Sequence, residues 1–144
     1  MTWTPLLTFR ADGEPKGQPR ARAFAFNGKA RMYDPSTAEG WKACVALAAK
    51  AAGIPPTPTS SPIRLDATFL FPRPGRLNKK SSPEGRIEHT AKPDRDNLDK
   101  AVLDCLTQLG VWQDDKQVCG GEVSKFYVAK GERPGAEIRI EVLI

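Results

Sequence analysis

The sequence predicts an α+β domain: a single mixed β-sheet of about five to six strands with two main helices packed on it. Three observations carry that expectation. Two stretches, Trp41 to Ala52 and Leu98 to Leu109, repeat apolar residues at helical spacing. Shorter stretches alternate apolar and polar residues at period two, most clearly Ile63 to Phe71. The chain order is strand, hairpin, helix, strand, helix, two strands. That order lacks a regular βαβ alternation, which puts the helices on one face of the sheet. With 144 residues, 40% hydrophobic and 27% charged, residues 1–144 suffice for one domain that buries its own core.

Taken in order, Leu6 to Arg10 reads as a short first strand, and Asp12-Gly13 as a turn. Arg20, Arg22, Phe24 and Phe26 alternate with alanines, Asn27-Gly28 is a hairpin signal, and Ala30 to Tyr33 is the return strand. Ser36-Thr37-Ala38-Glu39 has the form of a capping box. It opens a helix of about four turns whose Trp41, Cys44, Val45, Ala48 and Ala52 share a face. Gly53 stops it, and Pro55, Pro56, Pro58 and Pro62 make a stiff connection to the strand Ile63 to Phe71. Residues 73–93 have no periodicity. They carry Arg73, Arg76, Lys79, Lys80, Arg86 and Lys92 against two acids, and are expected to form a flexible basic loop. The second helix spans about Asn97 to Leu109, with Gly110 just past its end. Two final strands follow, about Gln117 to Ala129 and Ala136 to Leu143.

Composition narrows the function. No apolar run approaches a membrane span. The first residues have neither a basic nor a long apolar segment of a signal peptide. Cys44, Cys105 and Cys119 are widely spaced and, with a single His, do not spell a zinc site. A reduced, cytoplasmic setting is expected. Residues 1–93 carry 15 Lys+Arg and 7 Asp+Glu, net +8; residues 94–144 carry 7 and 10, net −3; the sum is the overall +5. A basic half beside an acidic cluster suits a protein that grips phosphates and holds a cation. It equally suits a soluble basic protein with solvated lysines.

The acids cluster between Lys92 and Lys116. Asp94 and Asp96 precede the second helix, and Asp114 and Asp115 follow it. If Asp94 and Asp96 stand on an extended segment, period two aims both carboxylates the same way. Two carboxylates about 5 Å apart repel by roughly 3 kcal/mol at an effective dielectric near 20, which a divalent cation removes. Acids from both ends of one helix meet only if the chain doubles back or a partner element closes the gap. The other reading needs no metal. Asp96 is then the N-cap, Asp94 and Asp99 favour the positive helix end, and Asp114-Asp115 is an exposed turn. Lys100 lies four residues from both Asp96 and Asp104. It is either the middle of a salt-bridge ladder or a cation beside transferring phosphate.

The composite Asp94-x-Asp96-Asn97-Leu98-x-Lys100, then Asp104-Cys105-Leu106, then Gly110-Val111-Trp112-x-Asp114-Asp115-x-Gln117-Val118 resembles the signature of the RusA-type Holliday junction resolvases. These are crossover-junction endodeoxyribonucleases of bacteria and their prophages. Gly17-Gln18-Pro19-Arg20-Ala21-Arg22 is similar to the phage-borne branch. The resemblance implies a homodimer that binds branched DNA, nicks opposing strands of four-way junctions symmetrically, and needs Mg²⁺ or Mn²⁺. By position it makes Asp94, Asp96 and Asp115 the metal-binding catalytic acids and Lys100 the catalytic lysine. Asp114 is a secondary metal candidate and Asp104 is kept structural. In-line hydrolysis would then leave 5′-phosphate and 3′-hydroxyl ends.

DNA binding must come from cations elsewhere, with Arg20, Arg22, Lys29, Arg31, Lys79, Lys80 and Arg86 as candidates. Each is also readable as a solvated surface charge. His89 is read as an incidental surface residue of the 73–93 loop, and Trp112 as a packing anchor for the acidic turn. Residues 53–62 and 73–93 depart from the family pattern and leave the DNA-facing surface open. Two rival functions use the same residues: a nuclease for other branched DNA, and a junction binder without chemistry.

Overall fold

The computed structural model describes residues 1–18 and 37–144. The hairpin expected over 20–33 lies outside the described residues, with Arg20, Arg22, Lys29, Arg31, Phe24 and Phe26. The described residues form one mixed sheet of six strands and two helices. Strand β1 (Trp3–Asp12) runs antiparallel to β6 (Gly135–Leu143), which runs antiparallel to β2 (Ile63–Phe71). β2 is parallel to β4 (Val118–Gly120) and to β5 (Val123–Tyr127), and β3 (Ile87–Glu88) pairs antiparallel with β5. The order is β1-β6-β2-β5-β3, with β4 beside the start of β2.

Alternation decides which face is covered. Ile63, Leu65, Ala67 and Phe69 of β2 and Ala136, Ile138, Ile140 and Val142 of β6 are buried. They join one core with Trp41, Val45 and Ala49 of α1 (Ala38–Ala52) and Leu98, Val102, Cys105 and Leu106 of α2 (Arg95–Gln108). Removing such side chains from water stabilises the fold by roughly 1.5–3 kcal/mol each. The intervening Arg64, Asp66, Thr68, Glu137 and Arg139 stay partly or fully exposed. Cys105 is buried in this core, which pushes its thiol up to about 11. Cys44 is half-buried and Cys119 exposed. No helix among the described residues is long and apolar enough to cross a membrane.

Four elements differ from the sequence expectation, each for a tertiary reason. β1 is longer than Leu6 to Arg10, because β6 offers a partner all the way from Leu143 to Gly135. α1 opens on Thr37 rather than Ser36: the Thr37 hydroxyl accepts from the Gly40 N–H at 3.1 Å, a cap that contributes about 1 kcal/mol. The strand expected over Gln117 to Ala129 is broken in two at Gly121. There φ is +121°, and a Cβ would collide with the Leu65 carbonyl oxygen. The 73–93 segment is folded onto the sheet around Arg73. Its guanidinium donates to the carbonyls of Val128 (2.7 Å), Leu77 (3.0 Å) and Gly85 (2.7 Å). β3 then pairs the end of this segment with β5.

Candidate functional site

The site begins where the sheet fixes the chain ahead of α2. Lys125 of β5 donates its ammonium to the carbonyls of Ala91 at 2.7 Å and Pro93 at 2.8 Å. Leu98, Ala101, Val102, Cys105 and Leu106 then turn one side of α2 into the core. This leaves Asp96, Asp99, Lys100 and Asp104 on its outer sides.

Asp94, not Asp96, is the N-cap, with φ −67° and ψ 148°, and its carboxylate makes no capping hydrogen bond. Helix boundaries read from sequence slide by one or two residues, and here the Leu98 N–H bonds to the Asp94 carbonyl at 3.2 Å. Asp96 therefore sits in the first helical turn. The two are not on one extended segment, and a two-residue step around a helix is about 200°. Accordingly they border different hollows. Asp94 lines one of about 490 Å³ with Gln18, His89 and Asn97. Asp96 lines another of about 590 Å³ with Asp99, Leu103, Glu122 and Ser124.

Asp99 was legible only as a helix-end charge. In the structure it shares the Asp96 hollow one turn on, and burial raises its pKa while the nearby Arg95 charge opposes that. Lys100 is exposed, with its ammonium 3.7 Å from Asp104, so the expected ladder is made at its C-terminal rung.

Asp114 and Asp115 stand at the other end of α2. Trp112 is fully buried and donates its indole N–H to Thr107 near the end of α2 at 2.7 Å, which anchors the acidic turn as expected. Asp114 caps a single 3-10 turn, Asp115–Gln117: it accepts from the Lys116 N–H at 2.9 Å, and Gln117 accepts from the Asp114 N–H at 2.9 Å. That backbone hydrogen bond holds the Asp114 carboxyl below the usual carboxylate range. Asp115, half-buried, is the first residue of the turn. Val118, three residues on, pairs with Ile63 at the start of β2, whereas Lys125, which holds the start of α2, pairs with Phe69. The 14 residues of α2 span about 21 Å at the usual helical rise. Within one chain, Asp115 is therefore not brought to Asp94 and Asp96. Among the described residues, no three His, Cys, Asp or Glu side chains are close enough together to hold a metal ion.

The candidate DNA cations divide. Lys79 and Lys80 are exposed, and among the described residues neither ammonium makes an ion pair. Arg86 instead grips Glu132 through two nitrogens, at 2.7 and 3.1 Å, and reaches Glu137 at 3.0 Å. It braces its loop to the turn between β5 and β6. His89 is not a surface residue. Its N–H bonds to the Lys125 carbonyl at 3.1 Å, and its ring stacks on Phe71 (centroids 4.1 Å apart) and leans on Tyr127 (4.6 Å). Burial, and then the charge of Lys125, lower its pKa, which favours the neutral ring. No periodicity marks His89 in the sequence; the β3–β5 pairing alone places it.

The family model described as Endodeoxyribonuclease RusA matches residues 12–141. The uncharacterized protein YqaN of Bacillus subtilis (strain 168) is 36% identical over 139 residues, covering 93% of this chain and 94% of that relative. The crossover junction endodeoxyribonuclease RusA of Escherichia coli (strain K12) is 52% identical over 40 residues, 28% of this chain and 33% of that relative. The protein of the same name from Enterobacteria phage 82 gives the same identity over the same length. The match thus spans about a third of these named resolvases.

Proposed function

The chain belongs to the RusA endodeoxyribonuclease family, and from that premise we propose that it resolves four-way DNA junctions by paired symmetric nicks, with Mg²⁺ (or Mn²⁺) as cofactor. The observation that carries this reading is Asp94. It holds the N-cap position yet leaves its carboxylate exposed and outside the cap, two residues before Asp96, which borders the neighbouring hollow. Caps usually spend that oxygen on the helix.

A hard cation needs several oxygens, and one chain offers Asp94 and Asp96 at one end of α2 and Asp115 at the other. Two copies related by a two-fold axis across α2 would set the start of one helix against the end of its partner. Each of two sites would then take Asp94 and Asp96 from one copy and Asp115 from the other. Two sites per homodimer match the two opposing strands to be cut in a four-way junction. Asp115 is the acid assigned here, because Asp114 already serves its own turn. A bound Mg²⁺ would polarise the scissile phosphate and activate a water. Lys100, one turn beyond Asp96, would exchange its exposed pair with Asp104 for the charge growing on the phosphate. Lys79 and Lys80 would contact the DNA arms.

The test is a labelled synthetic four-way junction, with Mg²⁺ or with EDTA, beside linear duplex. Ligatable symmetric nicks that need both metal and branch support the proposal. Cutting of flaps or forks in preference to junctions replaces it with a nuclease of other selectivity. Binding without cutting in any divalent metal returns the acids to capping. Asp96→Asn is expected to lower cleavage at least 100-fold while junction binding holds or tightens, since a repulsive charge is gone; full cleavage by this variant removes Asp96 from the site.

A further inference from the structure

Among the described residues, the hollow beside Asp94 holds two polar atoms without hydrogen-bond partners. His89 is only 7% exposed, and its Nδ1 has no hydrogen bond. Gln18, on the same hollow, buries an Oε1 that also has none. Buried polar atoms are nearly always satisfied, so the pair points to a ligand. Phe71, Tyr127 and Pro15 form an apolar part of the wall, and Lys16 and Lys92 face Glu14 and Asp94 around it. At about 490 Å³ the hollow falls within the usual range for small-ligand sites, roughly 300–1,000 Å³.

The chemistry selects among occupants. A free phosphate offers no face to stack on the aromatic wall. A divalent cation leaves the aromatic wall unused, and within the hollow Glu14 and Asp94 are already matched by Lys16 and Lys92. An apolar group leaves both atoms orphaned. An unstacked nucleobase satisfies all of them: its face lies on the aromatic wall, its edge carries donors and acceptors, and its phosphates lie within reach of lysines. Gln18 Oε1 accepts a hydrogen bond, which calls for a base edge that carries an N–H donor, on an exocyclic amino group or on the ring. The low pKa of His89 fits a neutral partner.

We infer that this hollow, formed by Gln18, His89, Phe71 and Tyr127 next to Asp94, receives one unstacked nucleobase from the branch point of DNA. The inference deepens the junction reading and rests on it for the choice of DNA. It would give cleavage a base preference beside the scissile phosphate.

The experiment measures junction affinity without divalent metal. An abasic residue is moved nucleotide by nucleotide through the branch point, and each of the four bases is then placed at the responding position. One position is expected to lose about tenfold in affinity on base removal, the scale of one stacked base, with the four bases differing there in affinity. His89→Phe keeps the ring stack and removes Nδ1; Gln18→Leu removes the acceptor from a separate segment. Each is expected to weaken the intact junction by several-fold, less than base removal does because the stack remains, and to narrow the differences among the four bases. If no position responds, or if both variants keep the full base dependence, the pocket is not a base site. The same junctions with Mg²⁺ separate the two claims. Base dependence without cleavage sinks the endonuclease and keeps the pocket; cleavage without base dependence does the reverse; no junction binding sinks both.

Discussion

Asp94 and His89 show how residue type and residue setting divide the information. The spacing of Asp94 and Asp96 was plain in the sequence, but their directions were not. Direction depends on which residue leaves extended geometry to start α2, and that is Asp94. His89 carried no pattern at all, yet the strand pair beneath it buries a neutral ring. Its titration has a definite sign. The folded pKa lies below the ordinary 6.5, so the unfolded chain takes up the proton first as pH falls. The stability this site contributes is therefore full above about pH 6.5 and is lost as pH drops toward the folded value. Asp94, Glu14, Lys16 and Lys92 share the hollow and Lys125 stands nearby, so the comparison must be differential. Urea unfolding between pH 5 and 8 is expected to show wild type losing more stability on acidification than His89→Phe. Parallel pH curves would remove the buried neutral imidazole.

At the scale of elements, α2 was readable because its apolar stripe is local, and Leu98, Val102, Cys105 and Leu106 are buried as that period requires. The division of the next strand into β4 and β5 was not, because its cause is Leu65, far away in sequence. Gly121→Ala would drive a Cβ into the Leu65 carbonyl at a φ that L residues avoid. We expect a loss of at least about 3 kcal/mol in urea unfolding; a loss under about 1 kcal/mol would mean that the crossing relaxes easily. The 73–93 segment splits in another way. Its arginines 73 and 86 turn inward to carbonyls and carboxylates, while Lys79 and Lys80 remain in solvent. Replacing both lysines with Ala is expected to weaken junction binding and to flatten the plot of log affinity against log salt by about 0.9 for each phosphate no longer neutralised. An unchanged slope would mean that the segment does not touch phosphate.

At the scale of the whole molecule, the 14-residue length of α2 forces the question of a second copy. If Asp115 acts across a homodimer, subunits carrying Asp96→Asn and Asp115→Asn, each inactive alone, should complement when mixed. A mixed dimer then holds one intact and one doubly defective site, so random exchange restores about a quarter of the sites, and junctions are nicked on one strand rather than two. No activity in the mixture would place all three acids in one chain. The sequence by itself determined the α+β class, the helix and strand periods, the family signature and the identities of the acids, because these follow from local spacing and residue chemistry. Only the tertiary structure decided that Asp94 and Asp96 face separate hollows, that Asp115 stands a helix length away, and that His89 and Gln18 meet beside Asp94. Those relations depend on which distant strands pair with β2 and β5, and pairing between strands is fixed by the packed sheet rather than by any one stretch of chain.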